Sequence, residues 1–327
     1  MAYMPTPVLR ACVAVFGFAL ASMMFASIAE AKSTPADMRV VDSSGEVLAD
    51  QFQYTSSDGV KVKTDRRADC FGPNTGGSGD KVDVPGSTAL AQLVDGGRTD
   101  RDLRPLSISD NFDFGLALCG IGDAVSPQTG FFYLKVDHVD SQVGGDQTAV
   151  EKGSSILWYL VEDFNDPVPD ELALSTSGEA KSGEELTVKV VSYGPDGKKV
   201  AAEGAEVTGA DAPTDAKGRT TVTVEDLSEL TATREGSIPS NEVVVCGLKA
   251  AKCRPGYAET IGGTGGDDKI AAGKDAETIL AGGGDDTIKG DGSTAPDVVK
   301  CGGGDDKVTG YGKSEKVTKF AGCEKVS

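Results

Sequence analysis

Histidine is almost missing from this chain of 327 residues, which has one, His138. A His-Glu-x-x-His zinc-protease motif therefore cannot be built. Any Ser/His/Asp triad would have to run through His138, which stands in an alternating pattern beside Asp137 and Asp140 and reads as a solvated surface residue. There is no Gly-x-Ser-x-Gly nucleophile elbow and no Cys-x-x-Cys metal site. Positive charge is also scarce: 32 Lys and Arg against 51 Asp and Glu give a net charge of −19. That balance repels nucleic acid and anionic membrane surfaces, and it suits a protein that binds cations. Carboxylates are plentiful, but nothing in the sequence sets two of them across a cleft, so an enzyme is not expected.

Long apolar runs are confined to the N-terminus. Arg10 precedes "ACVAVFGFALASMMFASIA", and the small-x-small site Ala29-Glu30-Ala31 follows. Residues 1–31 read as a secretory signal cleaved before Lys32, which makes the mature chain secreted and extracellular. The polar, helix-breaking "KSTPAD" argues against a membrane anchor, and Cys12 lies too early in the run for a lipoprotein site. No second stretch reaches the ~20 apolar residues of a membrane span. Six cysteines remain after the signal, an even number that implies disulfides in a secreted chain. Pairing within composition blocks gives Cys70–Cys119, Cys246–Cys253 and Cys301–Cys323 as the expected set.

Three blocks follow the signal, and the expected fold is mainly β and multi-domain. In residues 36–170, "MRVV", "FQYTSSDGVKVKT" and "DKVDV" read as strands. "TALAQLV" then puts Leu90, Leu93 and Val94 on one helical face behind a Ser87 or Thr88 cap. "LSISDNFDFGLALCG", "GFFYLKVDHV" and "SSILWYLV" supply further strands, and the whole is an α+β pattern. "GFFYLKVDHVDSQVGGDQTAVEKGSSILWYLV" resembles the end of the β-grasp domains related to the C-terminal domain of transcobalamin. Asp137-His138 stands where Asn-Gly is usual there, and Gly153-Ser154 where Gly-Asp is usual. The resemblance implies a β-grasp-like fold without establishing a ligand. Residues 171–246 alternate apolar with polar between turns such as Pro195-Asp196-Gly197, an antiparallel sandwich pattern. "GAEVTG", "TDAKGRTTVTV" and "LTATREGSIPS" resemble bacterial Ig-like repeat domains, which act mostly as spacers.

Residues 253–327 hold 17 glycines and repeat every nine residues. The segments are "GTGGDDKIA", "AGKDAETIL", "AGGGDDTIK", then, after an inserted Gly290-Asp291, "GSTAPDVVK", "CGGGDDKVT", "GYGKSEKVT" and "KFAGCEKVS". Position six is acidic throughout: Asp268, Glu277, Asp286, Asp297, Asp306, Glu315 and Glu324. Position eight is Ile or Val throughout: Ile270, Ile279, Ile288, Val299, Val308, Val317 and Val326. A disordered acidic linker does not predict that regularity, and a phosphate-cradling loop does not carry Asp at its fifth and sixth positions. The pattern resembles the nonapeptide of the repeats-in-toxin family, G-G-x-G-x-D-x-U-x with U large and apolar.

That resemblance implies a short parallel β-roll with calcium in its turns. The residues argue the same way: glycine permits tight turns whose carbonyls approach a cation, and a hard ion such as calcium wants six to eight oxygens. One coil of a roll uses two segments, so Asp268, Asp286, Asp306 and Glu324 are expected along one edge. Asp267, Asp285 and Asp305 beside them in sequence are further candidate ligands, as is Asp297 on the opposite edge. The second edge has fewer glycines and gains Lys274 and Lys313, so two ions are expected on the first edge, with affinity near ~10⁻⁴–10⁻³ M as in extracellular modules. The expected function is a non-catalytic calcium-binding protein, structural or adhesive, with a cell-surface or extracellular protein or glycan as partner. The alternative is a small-ligand-binding protein using the first block, which an open aromatic groove near Phe132, Tyr133 and Trp158 would favour.

Overall fold

Alternation of apolar and polar residues dominates the chain, and it folds as mainly β with a single α-helix among the described residues. The computed structural model describes residues 33–312 and 318–327. The expected signal segment lies outside them, as do Lys313, Glu315 and Val317. No helix among the described residues is long and apolar enough to cross a membrane.

The first block contains β1 (Ser33–Val41), β2 (Val47–Ser56), β3 (Val60–Lys63), β4 (Lys81–Val84), α1 (Ala89–Thr99), β5 (Leu106–Ser109), β6 (Ala117–Ile121), β7 (Ala124–Val125), β8 (Phe131–Val136), β9 (Val139–Asp140) and β10 (Ser155–Val161). β1 and β2 form a hairpin, β1 runs parallel to β10, and β8 pairs antiparallel with β10. Met38, Trp158 and Leu134 thereby share one sheet face, on which α1 lays Leu90 and Leu93. Thr88 caps the helix, its Oγ1 accepting from the Ala91 N–H at 3.3 Å. The helix runs past the expected Val94 through Gly96 and Gly97. A β-carbon on Gly96 would stand 2.7 Å from Met38 Cε, so glycine there lets the helix lie close to the sheet.

The second block contains β11 (Asp170–Thr176), β12 (Glu185–Tyr193), β13 (Lys199–Ala201), β14 (Glu206–Val207), β15 (Arg219–Thr223), β16 (Ser228–Leu230), β17 (Ala232–Thr233), β18 (Ser237–Ile238) and β19 (Val243–Val245). β12 pairs antiparallel with β11, β13 and β15. Its Leu186, Val188 and Val190 are buried and its Glu185, Thr187 and Lys189 exposed, the period of two that one solvated face requires. The joint with the first block is polar as well as apolar. Arg39 and Glu171 form a buried ion pair at 2.5 Å, and Val41 and Leu157 pack on Ile238. His138 corrects the expectation of a solvated side chain. Its Nδ1 lies 3.1 Å from buried Glu171 Oε2 and its ring stacks on Tyr193 with centroids 3.7 Å apart. The cause is local: Asp137 and His138 both take positive φ, 49° and 69°, the geometry of a tight two-residue hairpin turn. That turn swings the imidazole onto the second block.

The tail is built from strands of two or three residues: β20 (Thr260–Gly262), β21 (Lys269–Ala271), β22 (Thr278–Leu280), β23 (Thr287–Lys289), β24 (Val298–Lys300), β25 (Lys307–Thr309), β26 (Lys319–Ala321) and β27 (Lys325–Val326). They stack as two parallel ladders, β20-β22-β24-β26 and β21-β23-β25-β27, with Ile261, Ile270, Ile279, Ile288, Val299 and Val308 buried between. Two expectations need correction. The stack begins one strand earlier than the first segment, at Ile261. It also gains three residues before β26, so Phe320, not Val317, pairs with Val299. Tyr311 is buried against Phe320 in an edge-to-face contact at 5.3 Å.

The blocks are not beads on a string. β2 pairs in parallel with β20, Phe52 opposite Ile261, and one nine-stranded sheet runs β26-β24-β22-β20-β2-β1-β10-β8-β9. Phe52 and Tyr54 close the near end of the tail's core. Ala31–Ser327 accordingly form one compact unit. The cysteines pair as expected, Cys70–Cys119, Cys246–Cys253 and Cys301–Cys323, with Cα separations of 5.4, 6.1 and 5.2 Å.

Candidate metal centre

Glycine decides how closely the turns of the tail can stack. Gly302 has φ of 100°, and a β-carbon there would stand 2.0 Å from the Gly282 carbonyl oxygen. Gly304 is placed the same way over Gly284. Backbone thus lies directly on backbone, and Gly284 N–H donates to the Gly303 carbonyl at 2.8 Å.

The stacking aligns position six. Asp268, Asp286 and Asp306 are 2%, 1% and 0% exposed, and they stand in file with Glu324, which is exposed at the far end. Asp268 accepts from the backbone of its own turn, and each later carboxylate accepts from the turn before it. Thr264 N–H donates to Asp268 at 2.6 Å, Asp268 N–H to Asp286 at 2.8 Å, Asp286 N–H to Asp306 at 2.9 Å, and Asp306 N–H to Glu324 at 3.0 Å. Asp286 Oδ2 and Asp306 Oδ2 are buried without a hydrogen-bond partner, while the Ser33 hydroxyl lies against the Asp268 carboxylate. A buried carboxylate oxygen left unpaired is costly unless a proton or a cation meets it. Burial pushes the Asp286 carboxyl up to about 8, with the neighbouring carboxylates of Asp268 and Asp306 adding to the shift. Burial raises Asp268 as well.

Asp267, Asp285 and Asp305 form a second file on the solvent side. Asp285 N–H donates to Asp267 and Asp305 N–H to Asp285, both at 2.9 Å. They are exposed and do not join the buried file. The opposite edge differs in chemistry. Glu277 N–H donates to Asp297 at 3.0 Å, and the next place is taken by Thr318, whose Oγ1 accepts from Asp297 N–H at 3.3 Å. The Glu277 and Asp297 carboxyls lie beside each other, and the Tyr311 hydroxyl lies beside Asp297. Burial, then the Asp297 charge, raises Glu277 to about 8. Glu277 Oε2 is likewise buried without a hydrogen-bond partner.

Among the described residues no three acidic, histidine or cysteine side chains converge on a point. Each gap of the first edge offers two neighbouring carboxylates, and turn carbonyls would have to complete the shell. That donor set is all oxygen, and it fits a hard divalent cation of flexible geometry such as calcium better than zinc. The sequence reading missed Glu259, whose triplet Glu259-Thr260-Ile261 lies nine residues before Asp268-Lys269-Ile270 and announces the first strand of the stack. Comparison of the chain with protein-family models, curated proteins and solved structures finds no match.

Proposed function

We propose that this protein is a secreted, non-catalytic calcium-binding protein whose tail is a β-roll of the repeats-in-toxin kind. The observation that carries the reading is the buried file of Asp268, Asp286 and Asp306, in which Asp286 and Asp306 each keep an oxygen without a hydrogen-bond partner. Calcium sits in the two gaps that Asp286 separates and replaces the protons its neighbours otherwise force on it. The first block is β-grasp-like, a reading supported by a hairpin, a helix and a last strand parallel to the first. The antiparallel strands around β12 support an Ig-like spacer between the two. The role that follows is structural or adhesive: calcium sets the rigidity of an extracellular protein already held by three disulfides. Titration of the full chain with calcium, followed by circular dichroism, tests this. Asp286→Ala should abolish the calcium response and Asp297→Ala should leave it nearly intact, whereas equal losses would refute the edge assignment.

A second reading has an observation of its own. A groove of about 500 Å³ opens in the first block beside Phe132, Tyr133 and Trp158, a size ordinary for small-ligand sites. It supports an added role as a small-ligand receptor.

A further inference from the structure

The groove is selective in what lines it. Six aromatic residues line it: Phe71, Phe114, Phe131, Phe132, Tyr133 and Trp158. Phe132 and Trp158 are buried, 6% and 2% exposed, while Phe71 and Phe114 are exposed, 38% and 47%. The rim is a built wall rather than scattered rings. Phe71 stacks on Phe131 with centroids 5.2 Å apart, meets Phe114 edge-on at 5.7 Å, and Phe131 lies 5.5 Å from Tyr133. Phe71 is held there at a φ of 56°, in the left-handed region that a bulky residue rarely adopts, next to the Cys70–Cys119 bridge. The Tyr133 hydroxyl is already used, donating to Asp140 Oδ2 at 2.8 Å, so this residue offers its ring.

Charge completes the picture. No lysine, arginine or histidine lines the groove, and its one charged side chain is Asp113, exposed at the mouth. Aromatic faces carry negative quadrupoles, and a weakly hydrated cation over them gains what an anion loses. The net charge of −19 acts in the same direction. We propose that this groove binds an organic ammonium ion carried on an apolar body, the body against Phe132 and Trp158 and the ammonium among the rim rings and Asp113. The proposal rests on the small-ligand reading above and narrows it to one ligand class.

Trp158 is the only tryptophan of the chain, so its emission reports on the groove alone. The full calcium-loaded chain is titrated with 1-adamantyltrimethylammonium, 1-adamantanol and 1-adamantanecarboxylate, which share a body, differ in charge and do not absorb where tryptophan does. The expected result is a saturable change with the ammonium ion, binding about tenfold weaker for the alcohol, and none for the carboxylate. Asp113→Asn should weaken the ammonium ion by about two- to fivefold and leave the alcohol unchanged. Phe114→Ala, at an exposed position that the fold does not need, should weaken both. Equal affinity for ammonium and alcohol would overturn the charge selection while leaving the groove a ligand site. No saturable change with any of the three would remove the receptor reading itself.

Discussion

Asp286 keeps its two oxygens in different company. One accepts from the Asp268 N–H and the other is buried alone. Its carboxyl is raised to about 8, so the calcium-free folded tail holds a proton that the unfolded chain releases near ~4. The stability this lends is present below the ordinary carboxylate range and is lost as pH rises through about 8. Without calcium, thermal melts should therefore show the tail weaker at pH 9 than at pH 5. With saturating calcium that decline should vanish, because the metal takes the place of the proton, and binding near neutrality should release protons to the buffer. A calcium-free tail that gains stability on going to pH 9 would contradict this. Glycine gives a second contrast at the same scale. Gly302→Ala meets both a left-handed φ and the Gly282 carbonyl, and should cost about 2–5 kcal/mol of tail stability. Gly303→Ala one residue on has open space and an ordinary φ, and should be nearly neutral. Hydrogen exchange at Ile288 and Val308 reads both variants.

The strands β20 to β25 each contribute one buried Ile or Val, whereas Phe320 of β26 is half-buried and Val326 of β27 is exposed. Ile279 is fully buried between Ile261 and Val299 in its ladder, and Ile279→Ala should cost roughly 2–5 kcal/mol. Calorimetry that found the tail transition unmoved would count against a shared core. This element pattern was legible before any coordinates, because a β-branched residue every nine positions has no other simple use. The file of Asp268, Asp286 and Asp306 followed from the same count. What escaped was where the count fails. Phe320 takes the place expected of Val317 because three more residues separate β24 from β26 than two segments supply, an insertion that periodicity does not express. The pairing of β2 with β20 escaped for a similar reason: two segments about 200 residues apart share a register, Phe52 with Ile261, that no local pattern records. His138 reads as surface when only its own strand is considered, and its partners Glu171 and Tyr193 belong to another block.

At the scale of the whole molecule, the tail is bound at both ends. β2 lies against its first strand, and the Cys301–Cys323 bridge closes its last coil, spanning 22 residues. Replacing both cysteines by serine should lower tail stability by roughly 3 kcal/mol on the chain-entropy view. The calcium concentration at half-response should rise with it, which the same dichroism titration measures. The continuous sheet has one more consequence, for the order in which the tail forms. In a stack where each coil touches only its neighbours, the hard step is the first coil, and later ones add in turn. Here the edge of β2 is a ready-made template, so assembly is expected to begin at Ile261 and zip outward. Protection against hydrogen exchange should then fall in steps from Ile270 towards Val326 once the terminal bridge is reduced, a gradient of folding written along the chain from a seed that belongs to another block.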